Sequence, residues 1–191
     1  VCGDAQRLPL PNESVDLVLA NLLLPWCMPP AVFAEAARVL RPGGLFIFAT
    51  CGPDTLAELR RAWAAVDDRI HVHAFFDMHD LGDLVIAGGF AEPVLDVDRI
   101  NVTYRDVAAL VRDLRACGAG NVANGRRRTL TGRNRWQAFE SRLLAQREAN
   151  RVHVTIEAVF GHAWRAERRQ TDGVPGEVAI AVNRIKRRIA P

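Results

Sequence analysis

Short apolar runs alternate with helical periodicities along the first half of the chain. Residues 15–20 and 45–50 are apolar runs of strand length. Between them, Pro29 and Pro30 predict the start of a helix, and the Arg-Pro-Gly-Gly segment at 41–44 predicts its end and a turn. The apolar face of that helix is formed by Phe33, Ala36, Ala37 and Leu40. Alternating strands and helices are typical of an α/β sheet with crossover helices.

The second half continues with helices and two long strands. Thr55 and Glu58 have the spacing of a capping box, which predicts a helix start with Leu56, Leu59 and Trp63 on its apolar face. Asp77 is the predicted N-cap of a further helix that ends at Gly88 and Gly89. The remaining predictions are strands at 93–104 and 152–164, helices at 105–117 and around Trp136, Phe139 and Leu143, and a polar loop at 118–132. We therefore predict one domain over residues 1–164 and a basic tail over 165–191 with a weak strand at 178–182.

Composition and charge narrow the class of protein. The 191 residues are 49% hydrophobic and 25% charged, as in an ordinary globular domain. No apolar run approaches the roughly 20 residues that a membrane helix needs. The net charge is only +3, although arginines cluster at 126–128, 165–169 and 184–188. These clusters are either solvated surface or a docking surface for an anionic partner; the modest net charge argues against a nucleic-acid binder.

Cysteine and histidine usage predicts neither a metal site nor a catalytic dyad. The four cysteines are far apart and form no CxxC pair, so a zinc site or a disulfide framework is unsupported. A reduced, cytoplasmic protein fits this pattern best. The five histidines have no spacing with a serine or cysteine that indicates a nucleophilic role.

The order of motifs near the N-terminus resembles a known fold family. Gly3-Asp4-Ala5, a strand, the Leu-Arg-Pro-Gly-Gly turn at 40–44 and a second strand are similar to the second half of the class I S-adenosylmethionine-dependent methyltransferase fold. The resemblance implies an α/β fold: the C-terminal part of a Rossmann-like class I methyltransferase sheet, with a helical cap insertion. It implies S-adenosyl-L-methionine as cofactor, with Asp4 on the adenine amino group, the Ala5 backbone beside it, and Asn21 and Leu22 near the transferred methyl.

Four further segments narrow the resemblance. Residues 21–27, 52–59, 77–82 and 125–132 look together like the malonyl-acyl carrier protein O-methyltransferase family of biotin synthesis. This implies methylation of the free carboxylate of a malonyl thioester, with an acyl carrier protein as partner and a monomer as the expected state. Two alternatives stay open. One is another class I methyltransferase, acting on a different small molecule or resembling the assembly factors of respiratory complex I, and the other is an inactive fragment.

The implied chemistry assigns residues to the acyl acceptor. A carboxylate is already ionised at neutral pH, so no general base and no catalytic residue is predicted, only orientation and exclusion of water. Arg126, Arg127 and Arg128 are candidates either to bind the malonyl carboxylate or to dock the acidic carrier, and the sequence does not separate the two. Trp26 either walls the acceptor pocket or packs in the core. Tyr104 is a further substrate-binding candidate.

The resemblance also implies parts of the cofactor site that do not occur in this sequence. In the family, a glycine-rich loop and an acidic ribose-binding residue precede the segment that corresponds to Gly3-Asp4-Ala5. We therefore expect that the chain begins mid-domain, and that residues 1–191 alone bind S-adenosylmethionine poorly and aggregate. The central expectation is that Asp4 and Asn21 face one crevice at the carboxyl ends of neighbouring strands.

Overall fold

The architecture is a sheet with helices on both of its faces. The computed structural model describes residues 2–167, so Val1 and most of the predicted basic tail, with its strand at 178–182, lie outside the described residues. The strands are β1 (Val15–Asn21), β2 (Leu40–Cys51), β3 (Phe90–Tyr104) and β4 (Val152–Arg165). The helices are α1 (Pro29–Val39), α2 (Ala57–Ala64), α3 (Met78–Ala87), α4 (Val107–Ala116) and α5 (Arg133–Leu144), with a short 3-10 helix at Leu24–Trp26. The predicted α/β class is confirmed.

The sheet has the order β1-β2-β4-β3, with one parallel and two antiparallel pairs. β1 runs parallel to β2, and β4 runs antiparallel to both β2 and β3. The last residue of β2, Cys51, pairs with Ala158, which also pairs with Asp98 of β3. β3 and β4 stay paired as far as Tyr104 and Val152. The β3–β4 ribbon therefore extends about 20 Å beyond the carboxyl end of β2, at roughly 3.3 Å per residue.

One face of the sheet is closed by α1 and α3 around a cluster of phenylalanines. Phe33 of α1 packs edge-on against Phe46, with ring centroids 5.6 Å apart. Phe46 also stacks on Phe48 and Phe90, at 5.4 and 5.2 Å. All four rings are at most 4% exposed. Aromatic burial on this scale makes the cluster the main source of stability for the parallel half of the sheet.

A second hydrophobic cluster forms where the β3–β4 ribbon extends past β2. Helices α2, α4 and α5 cover Val152 and Val154 there, and they bury Leu59, Leu110 and Phe139 among them. Helices α4 and α5 stand between β3 and β4 in the chain. They form the cap that the resemblance predicted, and with α2 they cover the part of the ribbon that extends past the end of β2.

Apolar side chains are exposed on the sheet at β1 and at the end of the β3–β4 ribbon away from the second cluster. Leu17 and Leu19 of β1 are 54% and 67% exposed, and Val94, Phe160 and Trp164 are 54%, 46% and 42% exposed. A groove of about 680 Å³ runs across this face. Contiguous apolar surface of this kind favours association with another surface.

The predicted capping box is wrong. The residue at the N-cap of α2 is Leu56, in a left-handed conformation with φ 57°, and no side chain caps the helix. Thr55 Oγ1 instead donates to the Glu157 carbonyl at 3.0 Å and accepts from the Glu157 amide at 3.1 Å. Glu58 accepts from the amide and the hydroxyl of Thr155, at 3.0 and 2.7 Å. The physical reason is that β2 has ended here, and the buried backbone of β4 still needs partners.

The predicted turn at Arg-Pro-Gly-Gly differs in form from the expectation. Helix α1 ends at Val39, and Leu40 already pairs with Val15 of β1. The next pair is Leu17 with Leu45, so four residues of β2 bulge out opposite Asp16. Gly43 has φ 76°, which only glycine adopts readily. The segment is thus a bulge within β2 rather than a turn before it.

The predicted start of α3 is confirmed. Asp77 accepts a hydrogen bond from the Asp80 amide at 2.8 Å, and the helix ends at Ala87 before Gly88 and Gly89. Helices α4 and α5 and the strands β1, β3 and β4 also follow the predicted positions within a few residues.

We predict that Gly161→Ala destabilises the domain by about 1–3 kcal/mol, the usual range for overpacking. The Phe48 ring occupies the space that a Cβ at Gly161 would need, and both residues are buried. The free energy of unfolding of the full-length protein, measured by urea titration, checks this. Gly132→Ala is the matched control, because nothing lies within 4 Å of its added carbon and its φ is −65°. Equal stabilities of the two variants would contradict the prediction.

Candidate functional site

The carboxyl ends of β1 and β2 form the edge where the predicted cofactor residues lie. Asn21 ends β1, and the chain turns at Leu22, which has φ 51° and donates its amide to the Ala49 carbonyl at 2.8 Å. Leu22 is 51% exposed. The strained turn therefore holds the end of β1 against β2 and leaves the side chains at that end accessible.

The N-terminal segment reaches the same edge through the chain that follows β1. Asp4 is exposed and accepts from the Gln6 amide at 2.9 Å, and the Gln6 side chain accepts from the Met28 amide at 3.1 Å. Burial raises the pKa of the Cys27 thiol, and the negative charge of Asp4 raises it further. Asp4 therefore lies close to Cys27, in the segment that follows β1. That Asp4 and Asn21 face one crevice stays a prediction. The assignment of Asp4, Ala5, Asn21 and Leu22 to the cofactor stays a prediction.

An ion pair on α1 anchors the N-terminal segment. Arg38 donates to both carboxylate oxygens of Glu35, at 2.8 and 2.7 Å, and to Asn12 and the carbonyls of Leu8 and Leu10. Glu35 also accepts from the Leu8 amide at 2.6 Å. Its hydrogen bonds with Arg38 hold the pKa of Glu35 below its usual value despite partial burial. This network fixes the N-terminal loop, which includes Asp4, against helix α1.

A small cavity of about 90 Å³ lies beside this edge. Thr50 and Cys51 at the end of β2 line it, together with Cys27, Phe75 and Phe76. Burial raises the pKa of the Cys51 thiol, although a hydrogen bond with Thr55 opposes the shift, and the pKa of Cys27 is raised as noted. Both thiols are therefore protonated at neutral pH and are poor nucleophiles.

His73 connects several parts of the site, and the sequence analysis did not find it. Its ring lies edge-on to Trp26, with centroids 6.5 Å apart, and its Nε2 accepts from the Val122 amide at 3.3 Å. Arg60 donates to the His73 carbonyl and to the carbonyls of Pro53 and Thr55. No motif marked this residue, because the contacts come from segments about 50 residues apart in the chain.

The segment that carries His73 is held by an aromatic stack. Trp63 of α2 lies between His71 and Phe139 of α5, with ring centroids at 3.8 and 4.3 Å. His71 also contacts Asp67 at 2.7 Å. Burial acts to raise the pKa of Asp67, but hydrogen bonds from His71 and the Arg69 amide, with the charges of His71 and Arg135, lower it overall. The stack ties this segment to the cap.

The predicted acceptor residues fall in two places. Trp26 is 51% exposed beside His73, so it lies on the surface and not in the core. The loop with Arg126, Arg127 and Arg128 docks next to His73 through Val122. Tyr104 packs instead against the second cluster, where burial and then the charge and hydrogen bond of Asp113 raise its pKa. The structure thus brings Trp26 and the arginine loop together around His73 and sets Tyr104 apart from them; the binding roles stay predictions.

Two other features of residues 2–167 bear on this site. Within that range, no group of three histidine, cysteine or acidic side chains is placed to hold a metal ion. The 680 Å³ groove on the exposed sheet face has a mostly apolar lining that includes Asn21. The groove therefore meets the candidate site at Asn21.

Comparisons with known proteins indicate the family of this chain. A family model described as "Methyltransferase domain" matches residues 1–48. The malonyl-[acyl-carrier protein] O-methyltransferase of Laribacter hongkongensis is 51% identical over 166 residues, covering 86% of this chain and 56% of the relative. The enzyme of the same name from Halorhodospira halophila is 43% identical over 194 residues, covering 98% of this chain and 65% of the relative. The chain belongs to the malonyl-acyl carrier protein O-methyltransferase family.

Solved structures show the same fold at low sequence identity. The YcgJ protein of Bacillus subtilis gives a TM-score of 0.53 at 14% identity, covering 86% of this chain and 70% of that one. A proposed methyltransferase of Bacillus halodurans C-125 gives the same TM-score at 15% identity, covering 86% of this chain and 70% of that one. The malonyl-acyl carrier protein O-methyltransferases that the chain matches are longer, and it spans between 54% and 66% of their length.

We predict that Arg38→Met releases the N-terminal segment of this methyltransferase-family chain. The substitution removes five hydrogen bonds to Glu35, Asn12, Leu8 and Leu10, while methionine keeps most of the aliphatic stem. Hydrogen exchange at the Leu8 amide should become at least about tenfold faster, which corresponds to roughly 1.4 kcal/mol.

The matched control for Arg38→Met is Arg41→Met. Arg41 pairs only with Asp16, and both side chains are more than half exposed. Exchange at Leu8 should not change in that variant, because an exposed ion pair contributes little to stability. An unchanged Leu8 rate in Arg38→Met would show that the anchor is not needed.

Proposed function

We propose that this chain contributes the acceptor side and part of the cofactor site of an S-adenosyl-L-methionine-dependent methyltransferase. The reaction is O-methylation of the free carboxylate of a malonyl thioester on acyl carrier protein, an early step of biotin synthesis. The observation that carries the proposal is the identity of 36–51% to relatives with that name, spread over most of the chain. The exposed Asp4 carboxylate and the arginine loop that is docked at His73 support it.

The residues at the carboxyl edge suit the cofactor. The exposed Asp4 carboxylate can accept a hydrogen bond from an adenine amino group, and the Ala5 backbone lies next to it. Asn21 and Leu22 stand at the end of β1, where open α/β sheets bind their ligands. When bound, S-adenosyl-L-methionine supplies an electrophilic methyl group on a positively charged sulfur.

The chain's own residues would bind and orient the acceptor. Malonyl carboxylate is ionised at neutral pH, so the site needs no proton acceptor. Arg126, Arg127 and Arg128 offer positive charge and planar donor sets for an anion. Trp26 and the side chains around the small cavity beside Cys51 would exclude water from the reacting atoms. Tyr104 is retained as a candidate for the acyl chain at the cap. No side chain is assigned to covalent chemistry.

The partner and the setting of the enzyme follow from the same proposal. An acidic carrier protein would meet the arginine loop through long-range attraction, which acts mainly on the rate of encounter. We place the monomeric enzyme in the cytoplasm, since all four cysteines are free thiols. Within residues 2–167, no helix is long and apolar enough to cross a membrane.

The test is methyl transfer by the full-length protein. Incubation with methyl-labelled S-adenosyl-L-methionine and malonyl-acyl carrier protein should place a base-labile label on the carrier, because a methyl ester is hydrolysed by base. Acetyl-acyl carrier protein is the control, since it lacks the free carboxylate. Absence of label on the malonyl carrier would refute the proposal and would favour the assembly-factor alternative or an inactive protein.

We predict that the rate of methyl transfer has no ascending limb between pH 6 and 8.5. The nucleophile is ionised throughout that range, and no general base has to lose a proton. Single-turnover rates at saturating carrier and cofactor check this over the range. A tenfold rise per pH unit within this range would instead show that a general base takes part.

A further inference from the structure

The three neighbouring arginines of the loop have different surroundings. The loop is docked on the segment before His73: Asn121 donates to the Ile70 carbonyl at 2.6 Å, and Val122 donates to His73. Gly125 lies against the Ile70 side chain so closely that a Cβ there would come within 2.8 Å of it. These contacts hold the first half of the loop and fix where the arginines emerge.

Arg126 is used by the loop itself. Its Nη1 donates to the carbonyls of Val122 and Ala123, at 3.2 and 3.1 Å, and its amide donates to Ala123 as well. The guanidinium therefore closes the turn that it follows. Arg128, by contrast, is exposed to solvent. A long cation in water is well solvated and does not need a partner.

Arg127 is neither bonded within the loop, like Arg126, nor exposed to solvent, like Arg128. It is partly buried, and its Nε is shielded from solvent without a hydrogen-bond partner anywhere in residues 2–167. The other such atom in that range, Asp67 Oδ2, has the Arg135 guanidinium at 4.0 Å. Arg127 forms no ion pair within the described residues. An unpaired buried N–H on a charged group is costly, so this donor is suited to an anion that arrives with a ligand.

We infer that Arg127, and not Arg126 or Arg128, binds the free carboxylate of the acyl acceptor; this rests on the proposed function. The contact of His73 with both Val122 and Trp26 keeps the loop beside the chain that leaves β1. The Nε edge of a guanidinium binds a carboxylate with two parallel hydrogen bonds. Each carboxylate oxygen has two lone pairs, so one pair on each oxygen stays free for attack.

The experiment compares binding of two forms of the carrier to the full-length protein in the presence of S-adenosylhomocysteine. Malonyl-acyl carrier protein and the unacylated holo form differ only in the malonyl group. In the wild type, the malonyl form should bind more tightly. In Arg127→Gln, the ratio of the two dissociation constants should fall about tenfold or more toward one, the scale of a charge-assisted hydrogen bond.

Arg128→Gln is the matched control for a contact with the carrier surface. It should weaken both carrier forms alike, if at all, and leave their ratio unchanged. Arg127→Lys should restore only part of the ratio, because lysine keeps the charge without the planar donor pair. Hydrogen exchange at the Val122 amide reports whether the loop stays docked in each variant.

Each outcome separates this inference from the proposed function. An unchanged ratio in Arg127→Gln, or equal weakening of both carrier forms, would overturn the assignment of Arg127 even if the wild type methylates the malonyl carrier. A wild type that binds both forms equally would also overturn it. Loss of methyl transfer by the wild type would instead refute the proposed function.

Discussion

The pairing of β4 with its two neighbours is the constraint on which the rest of the structure depends. β4 is antiparallel to both β2 and β3, and it is longer than the part of β2 that it contacts. Where β2 ends at Cys51, the backbone of β4 would lose its partners inside the protein, which is costly. Thr55 and Glu58 supply them through side-chain hydrogen bonds to Glu157 and Thr155. The segment after β2 is thereby held along β4 instead of leaving the sheet.

The hydrogen bonds of Thr55 and Glu58 to β4 decide where the cap helices α4 and α5 lie. The β3–β4 ribbon continues past the carboxyl end of β2. Helices α4 and α5, which lie between β3 and β4 in the chain, pack with α2 on this extended part of the ribbon. The stack of His71, Trp63 and Phe139 joins the cap to the segment with His73. An acceptor bound at this edge would thus have the ends of the parallel strands on one side and the cap on the other. Lids of this kind exclude water without contributing a reacting group.

Polar anchors then bring distant segments to the same edge. Arg38 of α1 holds the N-terminal loop, which includes Asp4. Arg60 and His73 join the turn after β2 to the arginine loop. Each anchor uses a guanidinium or imidazole to satisfy backbone groups of loops, which have no regular partners of their own. The two thiols beside this edge, Cys27 and Cys51, have raised pKa values, so neither is activated as a nucleophile.

The sequence by itself determined the α/β class, the order of the elements, the end of β1 to within one residue and the cap helices, because these follow from local periodicity, caps and glycine stops. The motifs also sufficed to name the family and to single out Asp4 and the arginine loop. Only the tertiary structure decided that Thr55 and Glu58 bond to β4 instead of capping a helix, and that the Arg-Pro-Gly-Gly segment is a bulge. It alone found His73 and distinguished Arg127 from Arg126 and Arg128. These features depend on contacts between residues that are distant in the chain, from the Val15–Leu40 pair to the bond between Glu58 and Thr155, and local sequence patterns carry no information on such contacts.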